Sequence, residues 1–206
     1  MKSVFILILV FFITSCAQVP VKPPSDVATE VLAPVEVVTE TPAPVFTVQG
    51  LKIGIKELKG FSTVQEKRFR EIVAETEKTI NSEKFKASVR DWYHKGKKQF
   101  FDTTDTNEQV LAKILSYDWV LEYRLEKMRI GSSVIGYTYP DVTWIVINAR
   151  KWSSLSDAEI SGNICHEYGG HKLGRYKHEY NNSPNRPFSV PYGVGYLCRD
   201  LFKKHQ

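Results

Sequence analysis

The chain has 206 residues, with 28 basic against 23 acidic side chains and a formal charge of +5. It shows no glycine-rich phosphate loop, no nucleic-acid-binding motif, no internal repeat and no second run long and apolar enough to span a bilayer. Nucleotide-driven, nucleic-acid-binding, repeat and multispanning membrane classes are therefore without support.

Lys2 and an apolar run from Val4 to Ile13, followed by small and polar residues, predict a secretory signal over residues 1–15. Its end, Ile13-Thr14-Ser15-Cys16, resembles the bacterial lipobox. The resemblance implies that Cys16 becomes the acylated first residue and that the protein is a lipoprotein anchored to a bacterial envelope. Ala17, rather than an aspartate, would direct it to the outer membrane of a diderm host. An ordinary signal peptide with an incidental cysteine is the alternative.

Residues 16–48 hold six of the ten prolines, with Phe46 as the sole aromatic. Such a segment cannot bury enough apolar surface to offset its ordering entropy. Stiffened toward polyproline II at about 3.1 Å per residue, it could reach on the order of 100 Å from a membrane. It reads as a tether.

Residues 49–206 suffice for one domain and one core. They carry 26 basic and 19 acidic residues, a formal +7. A basic domain outside the cytoplasm suits anionic partners such as cell-wall polymers or lipid headgroups, although lysine-rich surfaces also simply aid solubility. Leu51, Ile53 and Ile55 alternate as in a strand, and Val64 to Ile80 carries a helical stripe of Phe69, Ile72, Val73 and Ile80. Asn107 to Leu115 is a second helix, and Val120 to Ile130 fits helix or strand. Val134 to Tyr139 and Thr143 to Ala149 read as strands joined by a turn at Pro140-Asp141. Ser156 and Glu159 form a capping box that opens a helix running into His166, and Gly193 to Lys203 is a final helix. The class is α+β, with a small mixed sheet and one helix that carries chemistry.

That chemistry lies in His166-Glu167-Tyr168-Gly169-Gly170-His171-Lys172-Leu173-Gly174-Arg175-Tyr176-Lys177-His178, which contains three of the five histidines. Zinc binds neutral imidazoles, and a catalytic zinc has three protein ligands and one open position. Glu167, beside the first histidine, is placed to act as general base. In the familiar H-E-x-x-H motif the histidines are four apart, about 40° round an α-helix; His166 and His171 are five apart, about 140°. A one-residue π-bulge at Gly169-Gly170 would restore a shared face. The helix is then expected to end in a left-handed turn at Gly174, bringing round His178 as third ligand, with Glu179 as its substitute. His94 stands alone and reads as structural, and His205 belongs to the tail.

The stretch resembles the metzincin pattern H-E-x-x-H-x-x-G-x-x-H with two extra residues, and its H-E-x-G-G-H form followed by Glu179-Tyr180 resembles the IgA-peptidase type of zinc peptidase. It is more similar to a group of bacterial zincin-type peptidases carrying H-E-W-x-H-K-L-G-F-x-H and then R-R-P-x-S-V-P-Y. The matching residues here are Lys172-Leu173-Gly174 and Arg186-Pro187-Phe188-Ser189-Val190-Pro191-Tyr192, and the similarity extends back to about Asn81. The resemblance implies a zincin-like fold and a Zn2+ cofactor. It further implies that Val134 to Tyr139 pairs with extended substrate, and that Tyr192, in a turn beneath the metal, stabilises the oxyanion. No methionine lies near that turn, so the floor of the site must differ from that of metzincins. Cys165 and Cys198 are either disulfide-bonded or two small buried hydrophobes.

The expected function is that of a membrane-anchored zinc metallopeptidase acting on peptides or proteins, peptidoglycan peptides included, with no nucleic-acid partner. The alternative is a non-catalytic envelope lipoprotein with a structural or degenerate metal site.

Overall fold

The computed structural model describes residues 50–178 and 183–202. The signal, Cys16, the tether, Glu179 and His205 lie outside these residues. Among them the elements run β1 (Ile53–Lys59), α1 (Thr63–Asn81), α2 (Glu83–Arg90), α3 (Asn107–Leu115), β2 (Trp119–Glu126), β3 (Gly136–Tyr137), β4 (Ile145–Asn148), α4 (Asp157–Ile164) and α5 (Val190–Phe202). A π-helical continuation of α4 spans Cys165–Leu173, and a 3-10 turn, Arg186–Phe188, precedes α5. No helix among the described residues is long and apolar enough to cross a membrane.

The sheet order is β1-β2-β4-β3, with β1, β2 and β4 parallel and β3 antiparallel at one edge. This small mixed sheet with five α-helices is an α+β arrangement. The stretch that fitted either helix or strand is a strand, because Trp119, Leu121, Tyr123 and Leu125 are buried at period two between β1 and β4. The antiparallel pairing joins Gly136 to Ile147 and Tyr137 to Val146. The strand within Val134 to Tyr139 is thus only two residues long.

Capping boxes start α1 at Ser62 and Gln65, α3 at Thr106 and Gln109, and α4 at Ser156 and Glu159. Ser82 ends α1 and caps α2, whose buried residues are Phe85 and Val89. Helix α4 is tied to α1 by the buried Thr76–Ser161 hydroxyl bond at 2.8 Å and by Arg68, which donates to Asp157 at 2.8 Å and to the Leu155 carbonyl at 2.6 Å. Helix α5 lies close against α4: a Cβ on Gly162 would sit 2.9 Å from the Gly195 carbonyl oxygen. Cys165, at the start of the π-helical continuation of α4, forms a disulfide with Cys198 of α5, with a Cα–Cα distance of 6.5 Å.

One buried carboxylate fastens the β3–β4 turn to the sheet. Glu122 of β2 accepts from Lys56 Nζ at 2.6 Å and from Thr143 Oγ1 at 2.7 Å. These partners, Lys56 first, hold its carboxyl below the usual range. A depressed folded pKa contributes stability that is present above the unfolded value and is lost as pH falls through the folded one. Glu122→Gln should therefore cost about 1.5–3 kcal/mol at pH 7, the scale of hydrogen bonds to a charged group. The gap from the wild type, measured by urea unfolding, should narrow as the pH falls below about 4.5. A gap that stays constant from pH 7 to pH 3 would contradict this role.

Candidate metal centre

The five-residue spacing of His166 and His171 is accommodated by a change of helix. After Ile164 the chain leaves the α pattern and makes π turns over all of Cys165–Leu173, a longer departure than a one-residue bulge. The Gly174 N–H, for instance, donates to the Gly169 carbonyl at 3.2 Å, five residues back. The wider turn brings both histidines to one face. Pro191, in the first turn of α5, presses on this segment, and a Cβ on Gly170 would lie 2.6 Å from the Pro191 Cα.

The three histidines converge. Each offers one ligand atom, and these atoms all lie within 4.8 Å of one another. The ring centroids are 5.0 Å apart for His166–His171 and His171–His178, and 5.4 Å for His166–His178. His178 arrives by a left-handed turn, but one residue later than expected. Gly174 has φ −72° and Arg175 has φ +53°. Gly174 is instead needed for space, since the Tyr176 ring occupies the place of its missing side chain.

Backbone carbonyls orient two of the rings. His171 Nδ1 is 2.7 Å from the Tyr176 carbonyl oxygen, and His166 donates to the carbonyl of Pro191. In each ring one nitrogen is thus engaged and the other remains for a metal, the usual arrangement of metal-bound imidazole. Burial, reinforced by the neighbouring histidines, pushes the His166 imidazole well below its ordinary value; burial also lowers that of His171. Both are neutral at pH 7, the form that ligates.

Glu167 is 4% exposed, and its Oε1 is 4.0 Å from His166 Nε2. The Asn163 side chain, one turn back, and the backbone of Thr138, just after β3, hydrogen-bond it. Burial pushes its carboxyl up to about 8. A dication on the histidines would favour the ionised form. Lys172, next to His171, donates to the carbonyls of Tyr139 and Val142, so the same helical segment grips the β3–β4 turn.

Tyr192 lies in the first turn of α5 and not in a free turn beneath the site. Pro191 is tolerated there because first-turn N–H groups have no helical partner. The Tyr192 ring is 4.5 Å from that of His166 and 5.0 Å from that of His178. Burial raises its hydroxyl above the ordinary value, so it stays a proton donor at neutral pH. The Arg186 guanidinium lies 4.5 Å from the Tyr192 ring centroid. His94 is outside the cluster, with its ring stacked 4.0 Å from Phe188.

Four residues near the site carried no role in the sequence reading: Asn163, Lys172, Tyr176 and Arg186. Asn163 had a usable signal, four residues before Glu167 on a capped helix. Arg186 sits inside the Arg186-to-Tyr192 stretch that carries the resemblance. The partners of Lys172 and of the Tyr176 hydroxyl are distant in sequence and leave no local mark.

The contact with Pro191 makes Gly170→Ala informative. Alanine favours a helix over glycine by up to about 1 kcal/mol, so a free site would gain stability. Crowding against the α5 backbone should instead cost about 1–3 kcal/mol in denaturant unfolding. A stabilised variant would contradict the packing described. No protein-family model, curated protein or solved structure matches the chain.

Proposed function

We propose that the protein is a zinc-dependent metallopeptidase of the zincin type, anchored to a bacterial envelope through a lipidated Cys16. It would hydrolyse peptide bonds in envelope or extracellular peptides and proteins. The observation that carries this reading is the convergence of three imidazoles, two with their second nitrogen held by a backbone carbonyl, beside a buried carboxylate. The donor set fits a borderline dication, and three ligands leave a position for chemistry.

His166, His171 and His178 would hold the ion. Zinc, when bound, supplies Lewis acidity toward a carbonyl and toward water. Glu167 takes one proton from the attacking water at its carboxylate and delivers it to the leaving amine as the C–N bond breaks. Asn163 and the Thr138 backbone fix that carboxylate, so its orientation does not depend on the substrate. Tyr192 donates its hydroxyl to the carbonyl oxygen as negative charge develops, with the Arg186 cation behind its ring. Strand β3 has β4 on one side only, and its other edge suits an extended peptide. Lys172 and Glu122 hold the turn that follows β3, which keeps this edge at a fixed distance from Glu167.

In the full-length chain, purified in detergent, His166→Ala should bring zinc well below one per chain and abolish hydrolysis of a mixed fluorogenic peptide library. Glu167→Gln should keep zinc near one per chain while activity falls at least about 100-fold. Zinc-loaded wild type inert toward the whole library, or Glu167→Gln as active as wild type, would overturn the peptidase reading. The first result would favour a non-catalytic metal-binding lipoprotein.

A further inference from the structure

We infer that Tyr176, held by Asp105, is a positioning residue that sets two of the three metal ligands at once; this rests on the metal site proposed above. Tyr176 lies between His171 and His178 in sequence. It is buried, at 8% exposure, whereas Arg175 and Lys177 on either side are exposed. All its polar groups are engaged. The backbone N–H donates to the Gly170 carbonyl at 3.1 Å, and the carbonyl receives His171 Nδ1 at 2.7 Å. The hydroxyl donates to Asp105 Oδ2 at 2.6 Å. The ring fills the space left by Gly174, and the Lys113 ammonium lies 5.4 Å from its centroid.

Asp105 is anchored independently of the metal loop. It immediately precedes the N-cap of α3, its N–H donates to Thr103 Oγ1 at 3.0 Å, and its carboxylate receives Lys113 Nζ at 2.6 Å. The Tyr176 hydroxyl therefore docks the metal loop onto an element 71 residues away.

The consequence for the ligands follows from the chain path. Arg175 is in the left-handed region, which a side-chain-bearing residue adopts only when its surroundings impose it. The burial of Tyr176 and its bond to Asp105 impose it here. That turn aims the Tyr176 carbonyl at His171 and sends the chain on to His178 two residues later. Freeing the hydroxyl loosens the carbonyl that orients His171 and the backbone that delivers His178. Loss of such an outer partner weakens metal binding by roughly 10- to 100-fold in general.

The test compares the full-length wild type in detergent with Tyr176→Phe, Asp105→Asn, the double variant and Arg90→Met. The last breaks only the exposed Arg90–Glu108 ion pair between α2 and α3. Zinc affinity is measured by competition with a chromophoric chelator, well below each variant's melting temperature, and cobalt substitution reports ligand geometry. Tyr176→Phe and Asp105→Asn should each bind zinc roughly 10- to 100-fold more weakly and alter the visible cobalt spectrum. The double variant should be no worse than the poorer single one, since both weaken the same Tyr176–Asp105 contact. Arg90→Met should bind like wild type. Tyr176→Phe and Asp105→Asn within twofold of wild type, with an unchanged cobalt spectrum, would overturn the inference even if they melt earlier. Wild type that takes up no zinc would bring down the metal-site reading and this inference together, and so separates the two failures.

Discussion

The structure depends on one constraint: two histidines five residues apart must face the same point from a single helix. An α-helix cannot do this, because five residues turn its surface by about 140°. The chain meets the constraint by widening the helix from Cys165 to Leu173. A π turn makes longer, less favoured loops of backbone, and the neighbouring elements hold it open. Pro191 packs on Gly170, Gly195 on His166, and the Cys165–Cys198 bond joins the segment's first residue to α5. On the sheet side, Tyr168 accepts the Val120 N–H at 2.8 Å, and its ring lies 5.2 Å from that of Trp119. The departure from α geometry is thus fixed on both sides.

The same contacts determine the electrostatics. Pressing the segment between α5 and the sheet buries His166 and Glu167, and desolvation is the leading influence on both. It disfavours imidazolium on one and carboxylate on the other. Without an ion the pair is held neutral, with an Oε1–Nε2 separation of 4.0 Å. An ion on the histidines would reverse the preference at Glu167 and leave that at His166 in place. On the metal-site proposal, a dication at the histidines would turn Glu167 into the ionised form that can accept a proton.

Much of this was legible because the information is local. The capping box at Ser156 is read directly from residue spacing, and the histidines stand close together in sequence. Helix α2 leaves no sequence signal because only Ser82 separates it from α1 and it buries a single i,i+4 pair, Phe85 and Val89, too little for periodicity. The parallel pairing of β1 with β2, across α1 to α3, left no trace in either strand. Sequence spacing favours Gly174 as the left-handed residue because glycine is the usual occupant of that position. Its small size instead serves the Tyr176 ring, a choice visible only once that ring's place is known. Likewise Asp105 and Lys172 act through partners chosen by the fold, at separations of 71 residues and about 30.

The most direct test of the account is X-ray absorption at the zinc edge of the full-length chain loaded with one equivalent of zinc. Three imidazole nitrogens at about 2.0–2.1 Å and at least one further light atom not supplied by a side chain are expected. The multiple-scattering signal should fall by one imidazole in His178→Ala. A chain that takes up no zinc in micromolar excess, or whose zinc is closed by a fourth protein ligand, would contradict it.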